Sequence, residues 1–148
     1  MTSLIKLLHI AAAIVWMGGM AFALLALRPV ATAQLQPPAR LPLMAAVLGR
    51  FFLLVWICIA LLAATGLHML LGAGMKAAPI GWHLMFGIGI LMFLIFGHLF
   101  FVPFRRLKQA VAQANWPEGG RRMGQIGKLV SLNFTLGWIA IAAVALLR

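Results

Sequence analysis

Residues 80–102 read IGWHLMFGIGILMFLIFGHLFFV, an apolar run whose only ionisable side chains are His83 near its start and His98 near its end. A continuous apolar stretch of about 20 residues is long enough to cross the hydrocarbon core of a bilayer as an α-helix. Inside that core every backbone N–H and C=O must bond within its own segment, which a helix achieves and an irregular chain does not. Residues 80–102 are therefore read as a transmembrane helix. Three further runs, at about 4–27, 50–71 and 126–147, have the same character. Of the 148 residues 65% are hydrophobic, and the four runs leave no room for a separate soluble domain. The expectation is an all-α integral membrane protein, with residues 1–148 forming one four-transmembrane-helix bundle in the lipid bilayer.

The segments between the runs are polar. Arg28-Pro29 is expected to end the first helix, because proline disfavours helical geometry in the residue before it. A loop with Gln34, Gln36, Pro37, Pro38, Arg40 and Pro42 follows, and Leu43 to Leu48 begins the second helix or lies at the interface. The third helix is expected to stop near Pro103. The second polar loop carries Arg105, Arg106, Lys108, Glu118, Arg121 and Arg122, and its first part is suited to a short amphipathic helix.

Net charge is +11, from 12 Lys and Arg against one acidic residue. In a soluble protein this would suggest nucleic acid. Here the charges sit at helix ends and in loops, where they set topology and meet anionic headgroups, so no nucleic-acid partner is expected. Arg28, Arg40, Arg50, Arg105, Arg106, Lys108, Arg121, Arg122 and Lys128 flank the first and third connections, against Lys6, Lys76 and Arg148 on the other side. That balance predicts both connections in the cytoplasm and both termini in the periplasm, N-out and C-out in a bacterial inner membrane. Ala31-Thr32-Ala33 mimics a signal-peptide cleavage site. The run before it is too long for one and a basic residue follows it, which favours an uncleaved span. Cys58 is the one cysteine, which allows neither an internal disulfide nor an iron–sulfur cluster and suits a small buried residue.

All four histidines, His9, His68, His83 and His98, lie in or at the ends of the apolar runs. An ionisable residue in a membrane span is costly and points first to function. Imidazoles are good ligands for transition metals and heme iron. With the predicted topology His9, His68 and His83 share the outer leaflet. His98 falls about 60° round the third helix and ~22 Å further along it, at about the depth of Asn133. His9, Ala13, Trp16, Met20 and Ala23 share a face of the first helix. Ala64, Thr65, His68 and Gly72 share one on the second, and His83, Gly87, Ile90, Leu94 and Gly97 form a stripe on the third. Gly66, Gly72, Gly87, Gly89 and Gly97 either let helices approach closely or leave a slot for a flat macrocycle. For any single histidine a hydrogen-bonded packing role is an equally good account.

Two fillings compete for the outer site. Heme b needs one or two axial imidazoles, an apolar slot and cations for its propionates, and Lys6, Lys76, Trp16 and Trp82 would border it. Copper needs imidazole or thioether ligands, which His9, His68 and His83 with Met69, Met75 or Met85 supply. Neighbouring side chains diverge on a helix, so His68 and Met69 do not easily face one centre. Asn133, the one amide well inside a span, is expected to fix the fourth helix against its neighbours.

Leu7-Leu8-His9-Ile10, Val15-Trp16-Met17-Gly18-Gly19 and Leu27-Arg28-Pro29 resemble the copper-resistance D (CopD) family. So do Arg50-Phe51-Phe52, Thr65-Gly66 and Leu132-Asn133-Phe134-Thr135-Leu136-Gly137. The third helix, from His83-Leu84-Met85 through Gly97-His98-Leu99-Phe100-Phe101 to Phe104-Arg105-Arg106-Leu107, resembles short stand-alone members of that group. The resemblance implies an inner-membrane protein linked to copper uptake or tolerance. In outline the bundle is also similar to four-helix heme-containing protoporphyrinogen oxidase and to small b-type cytochromes. The leading expectation is a b-type heme protein in which His9, His68, His83 and His98 are the cofactor-binding candidates, used for electron transfer with a redox partner or quinone. Copper binding or transport through the same cluster is one alternative, and a porphyrin- or quinone-linked oxidoreductase is another. Whether the chain is an enzyme stays open, no catalytic residue is assigned, and a homo-oligomer would complete a site that one chain leaves short.

Overall fold

A computed structural model describes residues 2–147. They form four helices long and apolar enough to cross a membrane: α1 (Thr2–Gln34), α2 (Pro37–Ala73), α3 (Ile80–Ala112) and α4 (Trp116–Leu146). There is no strand among the described residues. The protein is an all-α, multi-pass membrane protein. Short connections make consecutive helices antiparallel neighbours. α3 packs most extensively on α4, and α1 packs on α2 more than either packs on any one helix of the other pair. Leu25, Leu53, Leu94 and Trp138 are exposed, as lipid-facing side chains are. Arg148, counted in the charge balance above, lies outside the described residues.

The helices run past the ends predicted from sequence. Pro29 and Pro103 lack the N–H that bonds four residues back, and their rings crowd that carbonyl. Each is accommodated by one wider π-type turn. Ala23–Leu27 precedes Pro29, and Phe100–Phe104 contains Pro103. In the first turn Arg28 N–H reaches back to the carbonyl of Ala23, the register slips by a residue, and the helix continues. The expected 28–42 loop shrinks to Leu35 and Gln36. Pro37 and Pro38 fit the first turn of α2, where an N–H has no helical partner in any case.

The second polar loop shrinks to residues 113–115. Ala114 N–H donates to Val111 O at 3.2 Å and Asn115 N–H to Ala110 O at 2.9 Å, the paired bonds of a Schellman ending. That ending places Ala114 at φ 52°, left-handed backbone normally given to glycine. Ala114→Gly is expected to raise stability by roughly 1 kcal/mol. An unfolding titration in mixed micelles would read this as a higher midpoint, and an unchanged midpoint would contradict it. Asn115 then caps α4, its Oδ1 accepting from Glu118 N–H at 3.4 Å.

The close-packed core lies toward the end carrying these two connections. Leu41, Met44, Leu48, Phe52 and Val55 of α2 pack with Phe96, Leu99, Phe104 and Leu107 of α3 and with Ile126 and Val130 of α4. Phe52 meets Phe96 and Phe104 edge-on, with ring centroids 5.4 and 4.8 Å away. The opposite end comprises the start of α1, the 74–79 turn and the end of α4. It contains His9 and is packed differently.

Candidate metal-binding cavity

At the His9 end a cavity of about 500 Å³ lies between the two helix pairs. All four helices line it. α1 contributes His9, Trp16 and Met17, α2 Gly66 and Met69, α3 Trp82, Met85 and Met92, and α4 Gly137 and Ala140. The exposed Lys6 also borders it. Trp16, expected to border the outer site, is buried and stacks on Phe93 with centroids 5.9 Å apart, forming part of the wall.

The polar feature of this apolar wall is a three-group chain. Thr65 Oγ1 donates to the carbonyl of Leu61, one turn back in its own helix, at 2.5 Å. Its single proton being used there, Oγ1 accepts from His9 Nδ1–H at 2.7 Å. The imidazole is thereby held as the Nδ1–H tautomer, and Nε2 keeps a free lone pair. Gly66, next to Thr65, gives the ring its place: a Cβ there would lie 3.3 Å from His9 Cε1. The slot left by this glycine is filled by a histidine of the chain itself.

The other histidines fall elsewhere. His68 and His98 are exposed, and His83 is half-buried and off the cavity wall. On α2 the buried stripe runs through Phe52, Val55, Cys58 and Thr65 and reaches the cavity at Met69. His68 is about 100° round the helix from Met69 and lies outside the cavity lining. On α3 the inward residues are Met92, Phe96 and Leu99. The stripe read from sequence is mostly exposed instead: Gly87 and Leu94 lie off the cavity, and Ile90 borders it from an exposed position. The α1 face was read in the right direction: His9 and Ala13 line the cavity, and Trp16 and Met20 are buried. Among the described residues no three His, Cys, Asp or Glu side chains come together. What the cavity collects is one imidazole and the thioethers of Met17, Met69, Met85 and Met92. Met75, in the 74–79 turn, is exposed and outside it.

Asn133 does fix α4, by donating from Nδ2 to the carbonyl of Met92 at 3.1 Å. This places it nearer the middle of α3 than His98. Thr135 donates within its own helix, to Ser131 O.

The family model for copper resistance protein D matches residues 45–147. The chain belongs to the copper resistance protein D family. No curated protein and no solved structure matches it. The segments that carry the family resemblance meet one another in space. The ring of Phe51 occupies the room left by Gly19, His9 bonds Thr65 and lies against Gly66, and Met17 lies against Gly137. A copper link follows from membership in this family, and the donors around the cavity suit it. Thioether and imidazole are ligands for copper(I). A bis-imidazole heme needs two facing histidines, and His9 is the one histidine on this wall.

Proposed function

We propose that this protein binds copper(I) inside the membrane, in the cavity bordered by His9, Met69 and Met85. The observation that carries the reading is the fixed imidazole. Thr65 commits Nδ1–H, so Nε2 is available as a neutral donor in a cavity whose other donors are soft thioethers. Copper(I) is cargo in this reading. The chain supplies His9 as the oriented nitrogen ligand, Met69 and Met85 as sulfur ligands, and an apolar wall that excludes water. The charge balance supports placing the cavity end toward the periplasm of a bacterial inner membrane, so the ion would arrive from that side.

The heme reading rests on the volume of the cavity and its apolar wall, with His9 as the axial ligand. One preparation separates the two. The protein purified in detergent is examined by reduced-minus-oxidised visible spectroscopy and by metal analysis. It is then titrated anaerobically with copper(I) against a chromophoric chelator. Bound copper(I) without Soret and α bands is the expected result. Sharp heme bands with about one iron per chain would replace this reading with the other. Met69→Leu and Met85→Leu should each weaken copper(I) binding about tenfold or more, the scale of losing one ligand. Met75→Leu, off the cavity, should leave it unchanged. Equal effects at all three positions would show that the methionines act by something other than ligation.

A further inference from the structure

The cavity has a floor with its own donors. Met17 of α1 and Met92 of α3 both line it and converge on one point of α4. A Cβ on Gly137 would overlap the sulfur of Met17 and lie 2.9 Å from its methyl carbon and 3.4 Å from that of Met92. The Met17 sulfur and the Met92 methyl group therefore meet over the same point of α4, in a space that exists because residue 137 has no side chain. His9 lies about two turns nearer the end of α1 than Met17, roughly 12 Å along the helix.

A second observation marks the same level. Asn133, one turn from Gly137, is 2% exposed, and its Oδ1 is buried without a hydrogen-bond partner. Its Nδ2 is committed to the carbonyl of Met92, so the amide is held and Oδ1 keeps its lone pairs. A buried carbonyl with nothing to accept is unfavourable, and Asn133 lies one turn from the cavity wall at Gly137 without lining it. In a medium of low dielectric its dipole favours a nearby cation or the water bound to one. Carbonyl oxygen is a hard donor and a poor direct ligand for copper(I), so the contribution of Asn133 is electrostatic. At this level Trp16 stacks on Phe93, and Phe96, one turn past Met92 on α3, meets Trp16 edge-on from the deeper side, with centroids 5.9 and 6.3 Å from Trp16.

We propose that Met17 and Met92, seated on Gly137 beside Asn133, form a second copper(I) site at the floor of the cavity. This inference rests on the copper reading above. His9, Met69 and Met85 make a first station, and the thioether pair makes a deeper, sulfur-only station.

The test is copper(I) stoichiometry in the detergent-purified chain, measured anaerobically by competition with a chromophoric chelator. X-ray absorption at the copper edge is recorded on the loaded samples. The wild type should bind two copper(I) per chain, and Met17→Leu with Met92→Leu should bind one. His9→Ala should also bind one, with scattering from sulfur and none from imidazole. In the wild type the second equivalent should add sulfur scattering without adding imidazole scattering, a readout that needs no variant to fold. Gly137→Ala, which pushes a Cβ into Met17, should lower the deeper affinity at least tenfold. Two equivalents retained in the double leucine variant would overturn the deeper site. So would a single equivalent in the wild type that His9→Ala abolishes, and that result would leave the first station standing. No copper(I) bound by the wild type would overturn both.

Discussion

Gly81→Leu is expected to separate α3 from α4 at the His9 end and to lower stability by on the order of 3 kcal/mol. Gly81 N–H donates to the carbonyl of Leu147 at 3.2 Å, so the start of α3 lies directly against the end of α4. A Cβ at this position would overlap the carbonyl oxygen of Ala143 and lie 2.6 Å from that of Leu147. Both are backbone atoms and cannot rotate away as a side-chain tip would. The clash must be relieved by moving one helix, in the pair that packs most extensively. The neighbours Trp82 on α3 and Ala140 and Val144 on α4 line the cavity, so the displacement should also weaken copper(I) binding. Gly87→Leu is the matched control. No heavy atom lies within 4 Å of a Cβ there, and its stability should stay within about 0.5 kcal/mol of wild type. Unfolding titrations of the two variants in mixed micelles decide the matter, and coincident midpoints would remove the close approach as the cause.

The four spans could be read from sequence because apolar length is a one-dimensional property that the bilayer enforces. The helix ends could not. Pro29 and Pro103 look like breakers, and in water a break would be the ordinary outcome. In the bundle Pro103 and Phe104 are both buried, and an interrupted helix there would leave backbone groups without partners. One π-type turn costs less than an open end. The ending of α3 was hidden for a related reason: its left-handed residue is Ala114, and no glycine announces it.

The faces of the helices were legible only in part. On α1 Leu7, Ile14, Phe22 and Leu25 are exposed, while Ala12, Trp16 and Met20 are buried, and the spacing from His9 picks out the buried side. α3 offers no such contrast. A span that is apolar all round has no polar face to mark lipid from partner, and the His83–Gly87–Ile90–Leu94 stripe fits helical spacing as well as the inward one does. Spacing alone therefore groups His83 with His9 and does not single out the inward Met92. Thr65 did carry a usable signal. A hydroxyl inside a span must find an acceptor for its proton and retains lone pairs for a donor, and His9 was the imidazole at matching depth.

Thr65→Val should weaken copper(I) binding at the His9 station by about 10- to 100-fold, although Thr65 touches no metal in this reading. Valine keeps the shape and removes the acceptor. His9 Nδ1–H then has no acceptor at the distance where Oγ1 now stands, 2.7 Å away. The ring can turn, or the proton can move to Nε2 and occupy the lone pair that ligation needs. Thr65→Ser keeps the hydroxyl and should restore most of the affinity. His9→Ala removes the nitrogen itself and should abolish the first equivalent. Placing Thr65→Val in the His9→Ala background separates positioning from general damage. If Thr65 acts through the imidazole, the second change should leave the remaining copper(I) binding as it was. If it weakens binding by the same factor with and without His9, Thr65 serves the packing of α1 on α2 and does not orient a ligand. A His9→Ala protein that still binds every equivalent of the wild type would remove His9 from the site altogether.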